Sequence, residues 1–142
     1  MTSKYLLVAK VALTAVTLIY GIVPAIADLN ETHLLNPEWS AHARLHGSWF
    51  LFFGAFMGTL SLYFIWVRDS LILPTMIGLG FVSGFWLAVL TAPLYSGALV
   101  DSNGVETQIL GLDANAFIFT LLTITLLLVL VYALRRQTQS GD

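Results

Sequence analysis

The sequence predicts an all-α membrane protein, a bundle of four transmembrane helices with a small β-hairpin in one outer loop. Of the 142 residues, 58% are hydrophobic and only 10% are charged, against about 25% charged residues in a typical soluble domain. The charges fall in clumps that leave four long uncharged stretches, and a helix needs about 20 mostly apolar residues to cross the hydrocarbon core. These stretches are continuously apolar, whereas the strands of a membrane barrel would alternate.

We place the four spans near residues 6–27, 45–67, 72–93 and 114–134. The third apolar stretch is too long for one helix, and Pro93 is expected to end its helical part because proline cannot donate a backbone hydrogen bond. At this length we expect residues 1–142 to form a single domain.

The distribution of lysine and arginine predicts the orientation. One end of the predicted bundle carries five of the six cations, Lys4, Lys10, Arg68, Arg135 and Arg136. The other end carries Arg44 and six acids, Asp28, Glu31, Glu38, Asp101, Glu106 and Asp113. Cytoplasmic loops carry the excess of basic residues. Both termini are therefore predicted in the cytoplasm, with loops 28–44 and 94–113 on the outer side of a plasma or inner membrane.

Composition also excludes several classes of function. The net charge is −2 and no basic patch is present, which argues against nucleic acid as a partner. The absence of cysteine excludes thiolate metal sites, disulfides and cysteine nucleophiles.

The first span has a second interpretation. Lys4 and Lys10, the apolar run 11–23 and Ala25-Ile26-Ala27 before Asp28 together resemble a cleavable signal peptide. Cleavage would leave three spans with the same outer loops.

Small residues predict how the spans pack, because transmembrane helices associate through close backbone approach. We expect one small-residue face of span two to pack on one of span three. The two faces are Gly47, Gly54, Gly58 and Ser61, and Gly80, Gly84 and Ala88.

The second outer loop is predicted to contain the hairpin. Residues 97–100 and 105–109 flank Asp101-Ser102-Asn103-Gly104, and Asn-Gly favours a tight turn. Asp113 then has the position of an N-cap for span four.

All three histidines lie in one window, residues 31–46. Asn36-Pro37 has the pattern of a helix start, with Asn as N-cap and Pro in the first turn. A helix from that point into span two would place Glu38, His42 and His46 on one face. A folded-back loop would bring His33 to the same place.

Imidazole and carboxylate groups suit two kinds of chemistry. They can bind a divalent transition metal, with His42, His46, Glu38 and His33 as ligands, although the sequence leaves the cofactor unknown. The same four residues can instead act as catalytic proton donors and acceptors. Below His46 the face continues as Trp49, Phe53 and Phe56, an apolar path suited to a lipid-soluble ligand. Anchoring of the helix at headgroup depth is the alternative.

The histidine window also carries a resemblance. The string Asn30-Glu-Thr-His-Leu-Leu-Asn-Pro-Glu-Trp-Ser-Ala-His-Ala-Arg-Leu-His46 resembles the signature of a functionally uncharacterised family of small four-helix membrane proteins. Its pattern is roughly Asn-x-Thr-His-x2-Asn-Pro-x-Trp-x2-His-Ala-Arg-x-His, often with prolines where this chain has Ser40-Ala41. The resemblance implies that these residues act as a unit and supplies no reaction.

Two functions remain open at this point. The first is a His/Glu metal or proton-transfer site at the extracytoplasmic membrane interface, binding or acting on a small hydrophobic molecule, and it leaves open whether the protein is an enzyme. The second is a non-catalytic accessory subunit of a larger membrane complex. Membrane lipid is an expected partner in both, and self-association is compatible with either.

Overall fold

The computed structural model describes residues 3–100, 104 and 107–140. Its helices are α1 (Ser3–Thr17), α2 (Val23–Ala27), α3 (Ala41–Trp66), α4 (Ile72–Thr91) and α5 (Ala114–Ser140). A π-helical turn, Leu18–Ile22, joins α1 to α2 and makes them one continuous span. A 3-10 turn, Ala92–Leu94, follows α4, and two short strands, β1 (Gln108–Ile109) and β2 (Leu112–Asp113), precede α5.

Four helical segments are long and apolar enough to cross a membrane: Lys4–Ala27, Ala41–Trp66, Ile72–Leu94 and Ala114–Gln139. The predicted fold class, four helical spans with a small antiparallel sheet, is confirmed. The third segment ends in the 3-10 turn that contains Pro93, as expected for a residue that cannot continue the backbone ladder.

The π-helical turn in the first span has a local cause. Pro24 lacks the N–H that would bond to the Tyr20 carbonyl, and its ring crowds that carbonyl. The helix widens over Leu18–Ile22, which ends two residues before this proline, and π turns appear mostly as single turns inside α-helices. Tyr20 and Gly21 are the buried residues of the widened turn.

Gly21 lies so close to the backbone of α3 that only glycine fits at this position. A Cβ atom at Gly21 would lie 2.9 Å from the Gly58 Cα and 3.1 Å from the Gly54 carbonyl oxygen. Such distances leave no room for any side chain. The first span and α3 are therefore packed backbone against backbone, as small residues allow in membrane helices.

Tyr20 lies at the centre of the bundle and contacts two further helices. Its hydroxyl is 3.1 Å from the Ser61 Oγ in a buried hydrogen bond. Its ring stacks on Phe81 of α4 with the centroids 4.8 Å apart. A Cβ at Gly78 of α4 would lie 3.2 Å from the same ring and 2.8 Å from Leu126 of α5. One aromatic side chain thus fills the space that the glycines leave.

The predicted packing of the two glycine faces is wrong for the face on α4. Gly58 packs against Gly21 of the first span, and a Cβ at Gly54 would meet Phe81 of α4 at 3.5 Å and the Gly21 carbonyl oxygen at 3.8 Å. Cβ atoms at Gly80 and Gly84 would meet nothing within 4 Å among the described residues. Gly80 and Gly84 do share one face of α4, but the helix turns a different face, which contains Gly78, into the bundle.

An ion-pair cluster ties three elements together at the end of the bundle opposite the histidines. Asp69, in the turn between α3 and α4, pairs with Lys10 of α1 and with Arg136 of α5, the latter at 3.0 Å. Hydrogen bonds from Lys10 and Arg136 hold the pKa of the Asp69 carboxyl below its ordinary value of 3.8. The three polypeptide segments that carry most of the basic residues therefore meet at one end.

The hairpin forms, but not where the sequence predicted it. Strands β1 and β2 pair Gln108 with Asp113 and Ile109 with Leu112. The two turn residues are Leu110 and Gly111, both with positive φ (53° and 78°), as a tight two-residue hairpin requires. Residues 97–100 form no strand, and Asp101, Ser102 and Asn103 of the predicted turn lie outside the described residues.

The replacement Gly21→Ala tests the backbone contact. The added methyl group meets the backbone of Gly58, so we expect a loss of about 1–3 kcal/mol, the usual cost of overpacking. Thermal unfolding in a mild detergent measures it. Gly84→Ala is the matched control, because open space surrounds that position, and its melting temperature should not fall. Equal melting curves for the two variants would contradict the assignment.

Replacing Asp69 with asparagine tests the ion-pair cluster. Asparagine tolerates the positive φ of 52° at this position, so the main change is loss of the charge. Because the folded pKa of Asp69 is lowered, its stabilisation is present above the ordinary value of 3.8 and is lost as the pH falls through the folded value. We expect Asp69→Asn to cost about 0.2–1 kcal/mol per ion pair at neutral pH and nothing in strong acid. A difference that persists unchanged at low pH would refute this.

Candidate functional site

Helix α3 begins later than the sequence predicted. Its N-cap is Ser40, whose Oγ accepts the Ala43 N–H at 3.1 Å. Asn36 is fully buried, and its Oδ1 accepts the Glu38 N–H at 2.9 Å, which closes a turn rather than starting a helix. Glu38 therefore lies in the loop, and its predicted place on a helix face with the histidines is wrong.

His42 and His46 do lie together on the first turns of α3. Their Nε2 atoms are 3.1 Å apart and their ring centroids 4.5 Å apart. Both side chains are exposed. Their four-residue spacing is sufficient to predict that the two histidines share a helix face.

His33 belongs to a different cluster, in the loop of residues 28–40. The Thr32 hydroxyl donates to the Asn30 Oδ1 at 2.8 Å, and the His33 Nδ1 lies 2.9 Å from the Thr32 Oγ1 and 3.3 Å from the Asn30 Oδ1. Because that hydroxyl has already used its hydrogen and the amide oxygen can only accept, the Nδ1 of His33 must be the donor. The lone pair of a neutral ring is then on Nε2, the atom that can accept a further proton.

Asp28, which no sequence motif singles out, interacts electrostatically with His33. It follows α2 directly and is half-buried. Burial raises the pKa of the Asp28 carboxyl above its ordinary value of 3.8, and the nearby charge of His33 partly opposes this. A carboxyl group with a raised pKa beside an imidazole is an arrangement suited to proton exchange.

Between the loop that precedes α3 and the loop that precedes α5 lies a cavity of about 670 Å³, within the range of small-molecule sites. Its wall combines hydroxyl, imidazole and carboxylate groups with apolar side chains. We call it the loop cavity; its described lining residues are Thr32, His33, Trp39, Ser96, Gly97, Ala98, Leu99, Val100, Gly104, Thr107, Asp113, Ala114 and Asn115.

The two sides of the loop cavity are held by different contacts. Leu34 and Trp39 pack on α3 at Gly47, where a Cβ would lie 3.2 Å from the former and 3.3 Å from the latter. On the opposite side Asp113 caps α5, because its Oδ1 accepts the Asn115 and Ala116 N–H groups at 2.9 and 3.0 Å. The predicted N-cap is confirmed, and it also fixes the cavity wall.

The predicted apolar path lies on the outer surface of the bundle. Trp49, Phe53 and Phe56 are 66%, 50% and 65% exposed, and none of them lines the loop cavity. The His46 and Trp49 rings are 6.0 Å apart. A lipid-soluble ligand using these residues would approach from the side of the bundle, and that role stays a prediction.

The four predicted metal ligands do not converge. Among the described residues, no group of three or more His, Asp or Glu side chains is arranged to hold a metal ion. The structure pairs His42 with His46 and leaves Glu38 and His33 in the loop. The predicted residues are therefore divided between a histidine pair on α3 and the first loop, where His33 interacts electrostatically with Asp28.

The missed residues carried weak sequence signals. Asp28 follows an apolar span directly, where an acid is ordinary, and its importance comes from its burial beside His33. Thr107 and Asn115 enter the cavity wall only because the second loop folds towards the first.

Comparison with known proteins gives one match. No curated protein and no solved structure matches this sequence. Residues 11–142 match a family described as a family of unknown function, DUF6640. This range contains all four spans except the start of the first, the loops that precede α3 and α5, and every residue of the two clusters. The chain therefore belongs to the DUF6640 family of unknown function.

Proposed function

We propose that this chain is an integral membrane protein that binds a small, partly apolar molecule in the loop cavity and exchanges a proton with it. The loop cavity carries the proposal, because a space of about 670 Å³ there has His33 in its wall. The volume suits a small ligand, and the mixed wall can both orient polar groups and cover apolar ones.

His33 and Asp28 supply the proposed proton chemistry. With Nδ1 donating to Thr32 and Asn30, the Nε2 of His33 is the acceptor available to a bound molecule. Asp28, with its raised pKa, can stabilise the imidazolium or take part in the transfer. Positioned acid and base groups of this kind typically raise the rate of a reaction that involves proton transfer by about 10²–10⁴-fold.

The proposed orientation places the loop cavity at the extracytoplasmic membrane surface. The opposite end of the bundle gathers Lys10, Arg68 and Arg136, together with Asp69. The cation excess marks the cytoplasmic side, which puts both termini there. A ligand could then reach the cavity from the outer leaflet or from the aqueous phase.

A second candidate, an accessory subunit of a larger membrane complex, is favoured by one observation. Gly80 and Gly84 lie exposed on α4, one turn apart, with open space around them among the described residues. Small residues at this spacing suit contact with another membrane helix. Native mass spectrometry from the source membrane distinguishes the two: foreign subunits that stay bound support the second, and a chain carrying only a small molecule supports the first.

His33→Gln tests the first proposal. The chain is purified from its own membrane in mild detergent, and small molecules released on denaturation are quantified by mass spectrometry. We expect a bound molecule in the wild type and at least a tenfold loss in His33→Gln, because the cavity loses its ring acceptor. His46→Gln is the matched control, since that histidine lies outside the cavity wall, and it should retain the molecule.

A steric variant, Ala98→Trp, checks the location independently, because the indole fills part of the loop cavity. It should displace the molecule without removing any titratable group. The proposal fails if all four preparations carry the same amount of bound molecule, or if none carries any.

Asp28→Asn tests the electrostatics of the pair. A raised folded pKa means that the contribution of Asp28 to stability is fully present below its ordinary value of 3.8 and is lost as the pH rises through the folded value. The neutral amide avoids the cost of partly burying an ionised carboxylate. Asp28→Asn should therefore melt above the wild type at neutral pH and match it in strong acid. A lower melting temperature at neutral pH would show that pairing with His33 outweighs burial.

A further inference from the structure

The histidine pair on α3 lies outside the loop cavity and has a distinct geometry. His42 and His46 are absent from the described wall of the cavity, and their Nε2 atoms lie 3.1 Å apart, at hydrogen-bonding distance. Two imidazole nitrogens bound to one ion lie about 2.0–2.1 Å from it. At a separation of 3.1 Å they subtend about 98° at the ion, between the 90° of a square plane and the tetrahedral angle.

The surroundings of the pair leave room for an ion. Both imidazoles are exposed, and the pair lies in the first two turns of a helix whose start is fixed by the Ser40 cap. Arg44, the nearest cation in the sequence, lies two residues from each histidine and so about 200° around the helix. Its guanidinium donates instead to the Pro37 carbonyl at 3.4 Å. The cation therefore does not occupy the face on which the histidines lie.

We infer that His42 and His46 form a two-imidazole site for one divalent transition-metal ion of the copper, nickel or zinc class. Neutral imidazole is a preferred ligand of these ions. The pair supplies two ligands, and water fills the remaining positions, because the described residues offer no third His, Asp or Glu ligand. The site is separate from the loop cavity and does not rest on the function proposed for it. It also differs from the four-ligand set predicted from sequence.

Titration of the purified chain with Cu(II) tests the site. The protein carries a tag without histidine and is titrated in mild detergent by calorimetry, with electron paramagnetic resonance to count coordinated imidazole nitrogens. We expect one ion per chain with two imidazole nitrogens. His42→Asn and His46→Asn should each weaken binding at least tenfold, and His33→Asn should leave it unchanged.

A spacing control keeps the number of histidines constant. In the double variant Ala43→His/His46→Asn the two rings occupy adjacent positions, about 100° apart on the helix, and cannot chelate one ion. It should bind as weakly as His46→Asn alone. Position 43 is exposed, and melting without metal checks that each variant folds.

Two results would overturn the inference. One is Cu(II) affinity in both single variants equal to that of the wild type. The other is a loss in His33→Asn as large as the loss in His42→Asn. Either result would also leave the proposed loop cavity unaffected, since the bound-molecule experiment measures it separately.

Discussion

The close backbone contact between Gly21 of the first span and Gly58 of α3 governs the arrangement of the bundle. A membrane gives little hydrophobic reason for one apolar helix to prefer another, so association depends on how closely backbones approach. Here a Cβ at Gly21 would lie 2.9 Å from the Gly58 Cα. The contact fixes the position of the neighbouring Tyr20 along the bundle. The hydroxyl of Tyr20 hydrogen-bonds to Ser61, and its ring stacks on Phe81 of α4. Through that one side chain the positions of three helices become interdependent.

The same contact requires a local departure from regular helix geometry. Pro24 interrupts the backbone ladder, and the preceding turn widens into a π-helix over Leu18–Ile22. The buried residues of that turn are Tyr20 and Gly21, the two that make the central contacts. The π-helical turn therefore lies where the close packing of Tyr20 and Gly21 can offset its conformational cost. At the far end, the cluster around Asp69 holds the same span to α5 and to the α3–α4 turn.

The polar chemistry of the chain is concentrated at the opposite end and is divided between two clusters. One is formed by Asp28 and by His33, which lines the loop cavity; the other is the histidine pair on α3. They are consecutive in sequence but separated by the turn at Asn36, whose buried side chain closes the loop before the helix begins. Leu34 and Trp39 then pack the loop on Gly47. Residues 28–46 therefore fold as one unit that carries two separate clusters of polar side chains.

The sequence by itself determined the features that follow from composition and local spacing. Four apolar stretches are long enough to span a bilayer, Asp113 caps α5 through its own backbone neighbours, and His42 and His46 share a face because a helix repeats every 3.6 residues. Only the tertiary structure decided the features that depend on distant neighbours. Asn36 closes a turn with the Glu38 N–H, so the helix begins after the Ser40 cap and Glu38 stays off the histidine face. The side of α4 turned inward was that of Gly78 rather than of Gly84, since Tyr20 and Leu126 fill the space beside it. The burial that raises the pKa of Asp28 and the position of His33 near it likewise depend on how the first loop folds, which no spacing rule encodes.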